Sequence, residues 1–211
     1  MSDVRFLDRQ DAGRRLASAL RALAPANPVV LALPRGGVPV AREIALALGA
    51  PLDILAVRKL GAPGNPEFGV GAIAEGGIVA INNEVAHRVG LTGAVLEEAI
   101  ERESAELDRR VARYRSERPR LALGGTTAVL VDDGVATGIT EIVAVRAARA
   151  GGAARVIVAV PVGADDSIRM LRGEADEVVC LIEARRLIGV GRWYHDFRAL
   201  SDEEVVALLG N

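Results

Sequence analysis

A single cysteine, Cys180, leaves no partner for an internal disulfide, and its apolar setting between Val178 and Ile182 points to a buried thiol. Aromatic residues are scarce, with one Trp, two Tyr and three Phe, 3% of the chain. The core must therefore be built from Ala, Val, Leu and Ile, which the 50% hydrophobic content readily supplies. An excess of one charge is also missing: Lys and Arg total 26 against 28 Asp and Glu, a formal net charge of -2. Such a balance gives no general attraction to nucleic acid or to a membrane surface. No apolar run approaches the roughly 20 residues that span a bilayer. Met1 to Gly13 lack the apolar stretch of a signal peptide. The expected location is the cytoplasm, and 211 residues fit one domain, or one domain with an insertion.

Strand and helix patterns alternate along most of the chain. Asp8 to Leu23 reads as an amphipathic helix with Asp8 as N-cap and Leu16, Ala19, Leu20 and Leu23 on one face. Val29–Leu33 is a strand, and a helix from about Val40 to Leu48 follows it. Leu52–Val57 is the next strand, ending at Arg58-Lys59 before a turn-rich, mobile loop from Gly61 to Gly69. Val70–Ala74 and Ile78–Ile81 flank Glu75-Gly76-Gly77 as a hairpin. Thr92–Arg115 is a long helix whose narrow stripe (Leu96, Ile100, Leu107, Val111, Tyr114) breaks near Glu103. That stripe suits a helix lying across the core, or a subunit contact. Ala128–Val131, Arg155–Val160 and Val178–Ile182 are further strands, with helices near Glu141–Ala150, Asp165–Leu171 and Asp202–Leu209. The expected fold is α/β: a mainly parallel sheet with helices on both faces, plus a small hairpin and a long inserted helix. The core covers about residues 29–182.

Chemistry concentrates in three loops at strand ends, where ligands of open parallel sheets bind. The richest follows Val131. Two acids, Asp132 and Asp133, precede a small-residue turn through Gly134, Ala136, Thr137, Gly138, Ile139 and Thr140, and a helix then begins. The free N–H groups and the dipole of a helix N-terminus favour phosphate. Two adjacent carboxylates can hold sugar hydroxyls or, through water, Mg2+. A phosphate cup beside a diol clamp suits a ribose 5-phosphate. The second loop, Pro34-Arg35-Gly36-Gly37, lets backbone approach a ligand and adds a guanidinium suited to phosphate. The third is Arg58-Lys59, adjacent cations that can grip a pyrophosphate.

The segment from Val129 to Thr140, VLVDDGVATGIT, resembles the phosphoribosyl-pyrophosphate (PRPP) motif of type I phosphoribosyltransferases. LPRGGVPVA resembles that family's pyrophosphate loop, and Arg58-Lys59 with Gly61–Gly69 falls where the family has a flexible catalytic loop. The likeness covers about Val29 to Val162. RKLGAPGNPEFGVGAIAEGG and WYHDF look like a bacterial branch described only as phosphoribosyltransferase-domain proteins. The resemblance implies transfer of ribose 5-phosphate from PRPP to a nitrogenous base with Mg2+ as cofactor. By motif, Asp132 and Asp133 would hold the ribose hydroxyls, partly through Mg2+. Ala136, Thr137, Gly138, Ile139 and Thr140 would bind the 5-phosphate. Arg35, Gly36 and Gly37 would bind pyrophosphate, with the catalytic pair Arg58 and Lys59 closing on it. Hypoxanthine-guanine enzymes usually carry Asp where this chain has Ala136, which weighs against a 6-oxopurine acceptor; adenine-type enzymes can carry Ala there.

The family's variable hood over the base is made from terminal segments. Trp193, Tyr194 and Phe197 make the tail, about residues 186–211, a hood candidate because aromatic rings stack on bases. The same rings also suit packing of the tail onto the core. His195 is a possible proton carrier, His87 lies in a polar connector, and Glu75 sits in a hairpin turn. Two functions share the site: a transferase, or a PRPP-binding sensor with little turnover. A homodimer is expected; membrane and nucleic-acid partners are not.

Overall fold

The structure, a computed structural model, describes residues 5–116 and 118–210. In chain order its elements are α1 (Arg9–Leu23), β1 (Pro28–Ala32), α2 (Gly37–Leu48), β2 (Leu52–Ile54), β3 (Val57–Ala62), β4 (Asn65–Ala74), β5 (Ile78–Ile81), α3 (Asn83–Arg88) and α4 (Gly93–Arg115). Then come β6 (Thr127–Val131), α5 (Ile139–Ala150), β7 (Arg155–Ala164), α6 (Asp165–Leu171), β8 (Glu177–Ala184) and α7 (Asp202–Leu209).

Five strands form a parallel sheet in the order β2-β1-β6-β7-β8. β6 is buried at every position, because helices cover both of its faces. Alternate residues divide between two cores. Val30, Ala32, Val129, Val131, Ile157 and Ala159 face α1, α2 and α7, together with Leu16, Leu20, Ile44 and Val205. Val29, Leu31, Ala128, Leu130, Val156 and Val158 face α5 and α6, together with Val143, Ala147 and Ile168. This is the period of two expected of strands buried on both sides, and the side chains are aliphatic, as the shortage of aromatics requires.

A second, antiparallel sheet, β3-β4-β5, leans on the first. The expected strand Leu52–Val57 is in fact divided: β2 ends at Ile54, and Val57 opens β3 in the other sheet. Between them Leu55 N–H still donates to Ala32 O in the parallel sheet, while Ala56 O accepts from Glu75 N of the small one. The chain thus changes sheets within two residues. Gly61–Gly69 is not a free loop. Ala62 pairs with Asn65 across a turn at Pro63-Gly64, with Gly64 at φ +74°, so this segment closes a hairpin. The hairpin β4-β5 occurs as expected.

The stripe of α4 is used inside the chain. Leu96, Ile100, Leu107 and Val111 pack on Leu60, Val70 and Ile73 of the small sheet, which removes the argument for a subunit seam along them. Tyr114 turns instead into the core shared by α2 and α7. The C-terminus of α4 is anchored by Arg115, which is buried with Asp53 and Glu75. Its Nε donates to Asp53 Oδ1 at 3.0 Å and its guanidinium also bonds Glu75 and Ile54 O. Glu75 is thereby an anchor for the helix rather than a site residue. β7 runs on through Pro161 to Ala164, beyond the expected end at Val160. Pairing with β6 stops at Ala159 and a single bridge from Val135 to Gly163 follows, so Pro161 falls in the gap where the N–H it lacks has no partner to meet on that side. The short helix α3, capped by Asn82 through Val85 N, was not foreseen and contains His87.

Candidate functional site

The β6–α5 turn is built by local rules and braced from outside. Gly138 adopts φ +79°, and α5 begins after it with no side-chain cap. Gly138 has no side chain to cap the helix, and the first-turn N–H groups lie outside the intrahelical ladder, the arrangement that attracts an anion. Val135 N–H donates to Val162 O, and Ala164 N–H to Val135 O, so the turn is tied to the end of β7. Ser167 of α6 donates its hydroxyl to Ala136 O at 2.7 Å. Ala136 and Thr137 are exposed, Ile139 and Thr140 are half-buried, and Gly138 is buried.

The β1–α2 loop lies directly against the acid pair. A Cβ on Gly36 would overlap the Asp133 carboxylate, and one on Gly37 would overlap Val131 O. Both positions therefore require glycine for close approach. The Pro34-Arg35 peptide in this loop is cis. Arg35 itself is exposed, its Nη1 3.8 Å from Asp202 of α7.

Arg58 and Lys59 are separated by the pleat of β3, because neighbours in a strand project to opposite faces. Arg58 lies on the α4 side, with Nη2 2.6 Å from Glu103 and Nη1 3.7 Å from Glu106. This pairing accounts for the break in the α4 stripe at Glu103. Lys59 is exposed on the other face, and its charge is felt by Glu141 in the first turn of α5. A cavity of about 680 Å³ separates the β3–β4 hairpin from α4, lined by Arg58, Lys59, Gly61, Pro63, Arg102 and Glu103 among others.

Three carboxyls meet behind the turn. Asp132 Oδ1 accepts from Asp133 N–H at 2.7 Å, and the Asp132 and Glu141 carboxyls lie close enough to interact. Burial, then the nearby Asp133 and Glu141 charges, push the Asp132 carboxyl well up. Burial pushes Glu141 up to about 7, against the opposing pull of hydrogen bonds and Lys59. Asp132 and Glu141 thus act as a pair that retains a proton. Burial also raises Asp133, but the Arg9 guanidinium opposes it.

Arg9 was not singled out by sequence reasoning. Its Nε donates to Asp133 Oδ2 at 2.7 Å, and its guanidinium lies 3.9 Å from the centre of the Phe197 ring. Tyr194 donates its hydroxyl to Asp133 O at 2.6 Å and stacks at 5.0 Å against Phe197. Two of the three tail aromatics are thus brought to the acid pair, though as packing and hydrogen-bonding groups with Phe6 and Ala12. Trp193 is half-buried against the same cluster, and His195 is exposed. The segment before them also touches the turn: a Cβ on Gly134 would lie 2.5 Å from Val190. Glu141 escaped notice because it reads as an ordinary first-turn acid; only its burial marks it.

Residues 6–192 match the phosphoribosyl transferase domain. A Mycobacterium tuberculosis protein, provisionally named a phosphoribosyl transferase, is 49% identical over 204 residues, which make up 97% of this chain and 46% of the relative. The chain thus spans about half the length of the curated relatives it matches. Among solved structures, a Thermus thermophilus protein aligns with a TM-score of 0.84 and 45% identity over 97% of each chain. A purine phosphoribosyltransferase from Pyrococcus horikoshii aligns with a TM-score of 0.50 at 17% identity over 92% of each chain, a likeness of fold.

Proposed function

The chain belongs to the phosphoribosyl transferase domain family, and we propose that it carries ribose 5-phosphate from PRPP to a nitrogenous base. The observation that carries this reading is the fit of the Gly36–Gly37 turn onto Asp133 and Val131. It sets a pyrophosphate-type loop beside a carboxylate pair and an uncapped helix N-terminus.

In this reading the first turn of α5 binds the 5-phosphate through its N–H groups, with Thr137 and Thr140 hydroxyls beside it. Asp132 and Asp133 receive the ribose hydroxyls. The backbone at Arg35–Gly37 and the exposed Lys59 bind pyrophosphate, while Arg58 contributes only if it leaves Glu103. The base nitrogen bonds to the anomeric carbon as the bond from that carbon to the pyrophosphate oxygen breaks, and the electron pair leaves with pyrophosphate. The protein's work is to fix the sugar and to place charge where it develops.

The oxygen donors fit Mg2+. Asp132 faces other carboxyls rather than a cation, and a hard divalent ion is commonly held by one or two carboxylates together with substrate phosphates. Among the described residues no three-ligand cage of His, Cys, Asp or Glu exists, which suits an ion shared with substrate and held through water. When bound, Mg2+ would neutralise the departing pyrophosphate.

PRPP with Mg2+ is expected to raise the melting temperature, since a ligand of the native state stabilises it. Pyrophosphate should then be released with one member of a panel of purines, pyrimidines and nicotinate-like bases. No shift at millimolar PRPP would refute the reading. A second reading, PRPP sensing with little turnover, draws on the packed state of Tyr194 and Phe197, whose rings are engaged with Asp133 and Arg9. A melting shift with silence across the panel would select it.

A further inference from the structure

We propose that Arg9 is a positioning residue that fixes which oxygen of Asp133 meets the sugar, so that α1 forms part of the site. The inference rests on the reading of Asp133 as a ribose ligand.

Arg9 stands at the start of α1, where the Asp8 side chain accepts from Asp11 N–H at 2.7 Å and fixes the first turn. Its guanidinium is held from three directions. Nε bonds Asp133 Oδ2 at 2.7 Å, Nη1 bonds Arg198 O at 2.9 Å, and the Phe197 ring covers it. The side chains of Arg9 and Asp133 are only 11% and 14% exposed. A pair so enclosed differs from an exposed ion pair, which contributes little: removing one partner strands the other's charge.

The same cluster grips Asp133 at its backbone, where Tyr194 donates to the carbonyl. Oδ2 is thus occupied by Arg9 and lies against Gly36, leaving Oδ1 as the oxygen free of Arg9. Asp132 instead accepts from Asp133 N–H at 2.7 Å and lies beside Glu141. The two acids are therefore unequal. Asp133 is an acceptor oriented by a guanidinium, and Asp132 one placed only by a neighbouring backbone N–H. An acceptor fixed in direction, with one oxygen clear of Arg9, selects one orientation of a sugar diol.

The test compares wild type with Arg9→Met, Arg9→Lys, Asp133→Asn and the Arg9→Met/Asp133→Asn double variant. Affinities for PRPP, ribose 5-phosphate and pyrophosphate, each with Mg2+, are measured by calorimetry. Arg9→Met should weaken PRPP and ribose 5-phosphate by about tenfold or more and leave pyrophosphate unchanged. Arg9→Lys, which keeps charge without the planar fork, should fall between. In the Asp133→Asn background Arg9→Met should add nothing, because its effect passes through that carboxylate. Unchanged sugar affinity in Arg9→Met, additive losses in the double variant, or equal loss of all three ligands would overturn the inference. Should Arg9→Met not fold, Arg9→Lys decides: wild-type affinity for ribose 5-phosphate would overturn the inference. Failure of the wild type to bind PRPP would instead refute the proposed function, and this inference with it.

Discussion

Gly36 and Asp133 are packed so closely that a methyl group on the glycine would occupy the space of the carboxylate oxygen Oδ2. Two loops far apart in sequence therefore share one contact surface, and the position of the acid depends on the absence of a side chain in the other loop. Gly37 repeats the relation one residue on, against the carbonyl of Val131.

Gly36→Ala should consequently move Asp133 or the loop. Forcing a methyl into a packed site costs about 1–3 kcal/mol, readable as a lower urea midpoint. The larger effect should be on ligand binding: the rise in melting temperature with PRPP and Mg2+ should disappear. An Ala variant with the wild-type midpoint and an intact shift would show that the two loops are not in contact.

Arg115 should be the most sensitive anchor outside the site. It neutralises Asp53 and Glu75 in one buried cluster, and Asp53 Oδ2 also accepts Leu121 N–H. Arg115→Met strands Asp53 where water is scarce and leaves Glu75 only the longer contact to Arg120, so a loss of about 3–5 kcal/mol is expected. Chemical denaturation would measure it. Arg102→Met, on the solvent face of the same helix, is the control, with an expected change of about 0–1 kcal/mol. Equal small effects would argue against the buried triad.

Glu141 makes stability depend on pH. Its pKa rises from the ordinary 4.5 to about 7 in the folded chain, chiefly through burial. Between those values the folded chain keeps a proton that the unfolded chain has released. Its contribution to stability is thus full below 4.5, declines as pH rises, and is gone above about 7. Asp132 shifts in the same direction. Glu141→Gln should flatten the decline in melting temperature across this window. A slope unchanged by the substitution would mean that Glu141 titrates normally.

The parallel core was legible because its signals are local. Runs such as Ala128–Val131 bounded by turns, and a cap such as Asp8, need no knowledge of the rest of the chain. The acid pair and its turn were legible for the same reason, and their family resemblance agrees with the domain match. What was not legible depends on partners distant in sequence. Pro63-Gly64 marks a turn equally well in a loop or a hairpin, and only pairing of Ala62 with Asn65 decides between them. The tail aromatics were visible, but the Arg9 that covers Phe197 and bonds Asp133 lies 124 residues before that acid. Burial of Glu141 has no signature in a helix whose first turn ordinarily welcomes an acid.

Arg58 and Lys59 should separate in experiment although they are adjacent in sequence. Arg58 is engaged with Glu103 and, more distantly, Glu106, and so links β3 to α4. Lys59 is exposed on the opposite face, close enough to act on Glu141 at the start of α5. A charge-assisted bond from Lys59 to pyrophosphate would be worth about 1.5–3 kcal/mol. Lys59→Ala should thus weaken pyrophosphate and PRPP by roughly tenfold to a hundredfold, with little change in the urea midpoint. Arg58→Ala should lower the midpoint first, because it leaves Glu103 with only the longer contact to Arg102. Its effect on pyrophosphate then reports whether Arg58 ever exchanges Glu103 for the ligand. Glu103→Gln, which frees Arg58, should strengthen pyrophosphate binding if that exchange occurs. Unaltered affinity in both Arg58→Ala and Glu103→Gln would fix Arg58 as a strut and leave Lys59 as the cation that β3 brings to the site.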